Sequence, residues 1–183
     1  MFLDDVRVPK ANVVGGVNSG WGPILTTLTN ERTGIGGQAS MVDDVIALAR
    51  AYGVADDPVV RQELARLHAI AGTIRFLGYR VRTAASKGVA PGPESSVLKL
   101  ANSVRLELLG NLAMQIMGAR GTLYGDDAEM SGFWQNYAFL GQWMSRIGGG
   151  TDQVQRNIIG ENVLGLPQEP RPDKGIPFRD IPT

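Results

Sequence analysis

The chain has 183 residues, enough for one substantial hydrophobic core, with the 43% hydrophobic and 20% charged content of an ordinary globular protein. Eighteen basic and eighteen acidic residues cancel, which leaves no electrostatic footprint for nucleic acid or anionic lipid. Cysteine is absent and His68 is the single histidine, so disulfides, thiolate sites, a cysteine nucleophile and any site built on two imidazoles are excluded.

The chain opens on "FLDDVRVPKANVVG", a strand-like piece without a hairpin partner in the rest of the sequence. Pro23 follows "SGWG", and proline in the first turn of a helix loses no needed N–H, so a helix is expected from there to about Tyr52, with Gly53 as its stop. "ADDP" offers an aspartate cap ahead of Pro58. From Val60 the apolar positions Leu64, Leu67, Ala71, Ile74, Leu77 and Val81 recur at threes and fours, the stripe of a bundle-facing helix. Pro93 starts a third helix with the stripe Val97, Ala101, Val104, Leu108, Leu112 and Ile116, stopped by Gly118. Two shorter helices are expected, around Trp134 to Ser145 and from Asp152 to about Leu164.

The expected fold is all-α: an up-and-down bundle of four to five helices with a short extended N-terminal segment. "LPQEPRPDKGIPFRDIPT" holds five of the ten prolines and reads as an extended tail. Both ends lead us to expect a piece of a longer protein. No apolar run reaches the roughly 18 residues of a membrane span, and a cytoplasmic location is the default expectation.

Several clusters could carry chemistry. In "RIGGGTDQVQRNII", Gly148, Gly149 and Gly150 allow positive φ and close approach to the main chain. Thr151 or Asp152 can cap the helix that follows, whose free N–H groups form an anion or carbonyl-oxygen site. A plain tight turn with a good cap explains the same residues. Gly34, Gly36 and Gly37 in "TNERTGIGG" together cost roughly 2–3 kcal/mol of helix propensity relative to alanine, tolerable where a neighbouring helix or a flat ligand must come close. Glu31 lies one turn earlier. Beside an apolar cavity its carboxylate would be raised toward the range useful for proton abstraction; as a surface acid beside Arg32 it would do nothing of the kind. "MQIMGARG" ends the third helix with Gln115, Gly118 and Gly121, most simply as a cap. His68 reads as a packed or surface residue, and Trp134, Tyr137, Phe139 and Trp143 read as packing.

Taken together, "FLDDVRVPKANVVGGVNSGW", "NERTGIGG", "QIMGARG" and "GGGTDQVQRNIIGENVLGLP" resemble, in order, the C-terminal helical domain of flavin-dependent acyl-CoA dehydrogenases. The resemblance implies that residues 1–20 are the exit from a middle β-domain, 21–166 the helical bundle and 167–183 a tail. It also implies FAD as cofactor, an acyl-CoA substrate, further subunits of a dimer or tetramer, and an electron-transferring flavoprotein as redox partner. In that chemistry a carboxylate removes the proton α to the thioester while the β-hydrogen leaves as hydride. Many members place the base immediately before the Gly-Thr of the last motif, where this chain has Gly149. A second subgroup places it before an arginine on the first helix, which here is Glu31. By the same resemblance Thr29, Asn30 and Arg32 are expected near CoA and Gly150 beside the thioester. Thr151, with Asp152 at the same helix start, and Gln153 are expected at the flavin. Gln115, Ile116, Met117, Gly118 and Ala119 form a loop reaching flavin bound mainly by a neighbouring subunit, and Arg61 is a further flavin-contacting position.

The Arg-x-x-Phe-Gly element of many members is not intact in "RAYGVADDPVVRQ", and the stretch from Thr122 to Ser145 is longer than typical. These departures suggest the bacterial branch that handles bulky thioesters such as steroid side chains, in which some enzymes pair a catalytic with a non-catalytic subunit. The alternatives are therefore a non-catalytic partner subunit, or a helical interaction bundle without cofactor.

Overall fold

The structure, a computed structural model, describes residues 2–34, 41–89, 92–124, 131–170, 173 and 175–181, without the side chains at 29–34, 131 and 178. Its elements are α1 (Trp21–Gly34), α2 (Val42–Ala51), α3 (Pro58–Ser86), α4 (Glu94–Met117), α5 (Ser131–Phe133), α6 (Gln142–Ile147) and α7 (Asp152–Asn162). A 3-10 turn at Gly118–Thr122 follows α4, and a π-helical stretch, Trp134–Leu140, joins α5 to α6.

Local signals set most of the boundaries. The Asp57 carboxylate accepts from the N–H groups of Val59 (2.8 Å) and Val60 (3.1 Å), and Pro58 occupies the first turn of α3. Gly53 (φ 68°) and Gly118 (φ 55°) end α2 and α4 in a region that non-glycine residues rarely visit. Along α3, Val60, Leu67 and Ile74 are buried, with Leu64 and Ala71 packed half-buried against the same core.

The long first helix expected as far as Tyr52 is instead two helices. Met41 precedes α2 in the left-handed region (φ 56°), so its backbone is not helical there. Of the glycine cluster Gly34 closes α1, while Gly36 and Gly37 fall outside the described residues, as does Ile35. The strand-like N-terminal piece forms no strand among the described residues. It is extended with a single 3-10 turn at Lys10–Asn12, and leaves Phe2, Leu3, Val6 and Val8 exposed.

The helix α4 is central. It packs against α1, α2, α3, α6, α7 and the π-helical stretch. One stripe was expected on it, but Val97, Ala101, Val104 and Leu108 are only half-buried, while Leu98, Leu109, Leu112, Ala113, Ile116 and Met117 are buried. A helix enclosed on several sides has no single apolar face to read. Gly110 permits the closest crossing: a Cβ there would lie 2.8 Å from the Ala138 carbonyl oxygen and 2.9 Å from the Phe139 Cα. Of the aromatic cluster, Trp134 is buried in the core; Tyr137 and Trp143 are exposed.

Candidate functional site

The triple-glycine turn between α6 and α7 is built from backbone freedom and one buried side chain. Gly149 (φ 66°) and Gly150 (φ 97°) adopt conformations that a Cβ would strain, and at Gly148 a Cβ would meet the Met144 carbonyl oxygen at 2.9 Å. Gln155, fully buried on α7, donates through Nε2 to the carbonyl oxygens of Gly149 (3.2 Å) and Gly150 (3.3 Å). Those two carbonyls are thereby held toward α7. Thr151 caps α7, its Oγ1 accepting from the Val154 N–H at 3.2 Å, and the Gln155 N–H bonds the Thr151 carbonyl. The N–H groups of Asp152 and Gln153 precede the first intrahelical bond and are the donors such a helix start offers to an outside acceptor. The turn is thus main chain bare of side chains from Gly148 to Gly150, exposed at Gly148 and half-buried at Gly149 and Gly150.

Behind the turn lies a network that the sequence did not announce. Lys99 on α4 is 3% exposed and donates to Asp152 Oδ1 at 3.0 Å and to the Arg146 carbonyl oxygen at 3.3 Å. Arg146 Nε meets Asp152 Oδ2 at 3.0 Å, its NH1 lies 3.2 Å from Glu107, and its guanidinium lies over the Trp143 ring at 5.1 Å. Burial alone would raise the Asp152 carboxyl. Hydrogen bonds with Lys99 and Ser103, the Lys99 charge and the bond from Arg146 outweigh it and hold the group below its ordinary value. Asp152, expected to help hold a cofactor, has its carboxylate turned into the protein with both oxygens engaged; it holds the turn. A lysine read from sequence is a surface residue, and only its partner, 53 positions away, makes it buried.

The other candidates sit as follows. Thr29, Asn30, Glu31 and Arg32 lie on α1, which packs on the same α4 that α7 packs on; their side chains are outside the described residues. Gln115 is exposed at the end of α4, Ile116 and Met117 are turned into the core, and Gly118 and Ala119 are exposed in the following turn. Gln153 is exposed at the start of α7. Arg61 is 65% exposed, 3.8 Å from Asp56, and lines a cleft of about 450 Å³ with Arg50, Gln62, Leu64 and His68. Arg61 thus belongs to the α2–α3 cleft, whose lining is separate from the glycine turn.

The family model for the acyl-CoA dehydrogenase C-terminal domain matches residues 18–164. The chain belongs to the acyl-CoA dehydrogenase family. It is 35% identical over 174 residues to acyl-CoA dehydrogenase IpdE1 of Mycobacterium tuberculosis, a match covering 92% of this chain and 44% of that protein. Among solved structures it resembles the Tcur3481-Tcur3483 steroid ACAD, with 29% identity and a TM-score of 0.77 over 92% of this chain and 45% of that one. The ChsE4-ChsE5 complex from Mycobacterium tuberculosis is also similar, at 28% identity and a TM-score of 0.71, covering 92% of this chain and 46% of that one. The chain thus spans about half the length of these relatives. The all-α bundle is the fold they share with it, and no described helix is long and apolar enough to cross a membrane.

Proposed function

We propose that the full-length protein catalyses α,β-dehydrogenation of an acyl-CoA thioester, with Glu31 as the base that takes the α-proton. The observation that carries this reading is the Gly148–Thr151 turn, with its two carbonyls bonded to Gln155 at the capped start of α7. By the family resemblance, Gly149 stands where many members carry the catalytic glutamate and has no side chain to act as one, so this reading gives the role to Glu31 on α1. Residues 21–166 form the catalytic bundle, 1–20 the exit from a β-domain and 167–183 a tail.

The residues present fit FAD. Thr151 and Gln153 would meet it at the start of α7; Gln115, Gly118 and Ala119 would reach flavin held mainly by a second subunit, and Arg61, in the α2–α3 cleft, would be a further flavin-contacting position. When bound, FAD accepts the β-hydrogen as hydride. The chain's own contribution is to orient the thioester against the bare turn beside Gly150, to hold CoA near Thr29, Asn30 and Arg32, and to hold the α-proton on Glu31. Likeness to a steroid ACAD favours a bulky acyl group, and likeness to the Tcur3481-Tcur3483 and ChsE4-ChsE5 assemblies favours a partner subunit. An electron-transferring flavoprotein would reoxidise the enzyme.

A second reading, a non-catalytic subunit of a mixed dehydrogenase, is favoured by the missing Arg-x-x-Phe-Gly element. Glu31→Gln in the full-length protein with its partner subunit separates the two. Loss of about 10²–10⁴-fold in turnover is expected of a general base. Unchanged turnover of every thioester tried would reject Glu31.

A further inference from the structure

We propose that Lys99 is a positioning residue for the cofactor-facing turn: anchored in α4, it fixes the Gly148–Gly150 segment and the first turn of α7 through Asp152 and the Arg146 carbonyl. This rests on the dehydrogenase reading above for what the turn meets, but its geometry is independent of that reading.

Three observations converge. First, Lys99 touches both flanks of the turn. Its Nζ bonds the Arg146 carbonyl oxygen, two residues before Gly148, and the Asp152 carboxylate, two residues after Gly150. Second, Gln155 ties the turn to α7, whereas Lys99 ties its flanks to α4, a different and more central helix. Third, the positions spanned include two glycines with positive φ, which favour no single conformation by themselves. A flexible segment with a defined task needs an external reference, and a buried ion pair is a costly way to supply mere stability, because an apolar pair of similar volume often serves as well. Glu107, on the same helix as Lys99, extends the arrangement by holding Arg146 from outside.

The pair's orientation also has a consequence. With Asp152 drawn inward by Lys99 and Arg146, its negative charge is directed away from the outer face of the turn, where an anionic ligand would otherwise meet repulsion beside the α7 amides. Lys99 would thus set both the shape and the sign of the turn's exposed surface.

The test uses the full-length protein with its partner subunit, comparing wild type, Lys99→Met, Asp152→Asn and the double variant. The double variant removes both charges and restores a balanced interior, so its unfolding midpoint should recover toward wild type. If Lys99 positions the turn, amide hydrogen exchange at residues 148–153 in the double variant accelerates tenfold or more while α3 is unchanged, and the flavin dissociation constant rises at least tenfold. Wild-type exchange and flavin affinity in a stable double variant would overturn the proposal and leave the pair a structural one. Should the double variant fail to fold, Lys99→Gln, which leaves Asp152 paired with Arg146, carries the same comparison: faster exchange at 148–153 supports the proposal and unchanged exchange overturns it. A wild-type protein that binds no flavin would reject the dehydrogenase reading, while the exchange measurement would still decide the role of Lys99.

Discussion

From Leu106 to Met117, α4 buries Leu106, Leu109, Leu112, Ala113, Ile116 and Met117, which with Val45, Leu48 and Leu67 form one apolar core. From Ser95 to Arg105 the same helix buries Ser95, Ser96, Lys99, Asn102, Ser103 and Arg105, with Leu98 the one large apolar side chain fully enclosed among them. In this half Arg105 donates to Asn102 at 2.8 and 3.1 Å, and burial holds its guanidinium below its ordinary value, offset in part by Tyr137. The apolar half has tolerant, non-directional contacts that define where helices lie. The polar half has directional contacts that define where a particular loop lies, at the cost of desolvation. A single helix thus supplies both the scaffold and the reference point for the site.

Substitutions in the two halves should therefore fail differently. The largest loss is expected from Lys99→Met alone, which strands part of a buried ionic network and should cost about 3–5 kcal/mol, recoverable by the compensating change at Asp152. Leu109→Ala, at a fully enclosed position, should cost about 2–5 kcal/mol by thermal unfolding, with no second-site charge change to rescue it. The recovery of one loss and the persistence of the other is what separates the two kinds of burial.

Acid should distinguish them again. Asp152 is held below its ordinary value of 3.8, so its contribution to stability is complete above that pH and is lost as pH falls through the lower folded value. The unfolding midpoint of wild type should drop more steeply below about pH 3.8 than that of Asp152→Asn; parallel profiles would contradict the assignment. The smallest effect is local to the start of α3. Asp57→Ala removes the cap of α3 and should cost about 1 kcal/mol without changing exchange at residues 148–153.

The same contrast marks what the sequence made legible. Boundaries set by neighbours in the chain, such as Asp57 before Pro58, Pro93 before α4, Gly53 and Gly118 as stops, and Thr151 as the cap of α7, could be read directly because cap and proline chemistry acts over a few residues. The break at Met41 could not, since the left-handed residue is no glycine. Nor could the π-helical stretch, which packs closely on Gly110 of a helix more than twenty residues earlier. The site divided along the same line. The glycine turn and its cap were legible, but the ion pair that holds them, Lys99 with Asp152, joins residues 53 apart.

The central claim is that α1, through Glu31, supplies the base that Gly149 cannot. Incubating the full-length protein in heavy water with an acyl-CoA thioester and following deuterium entering the carbon α to the thioester tests it most directly. The account predicts incorporation by the wild type and its loss, by about 10²-fold or more, in Glu31→Gln that still binds thioester. Incorporation at the wild-type rate in that variant would contradict it.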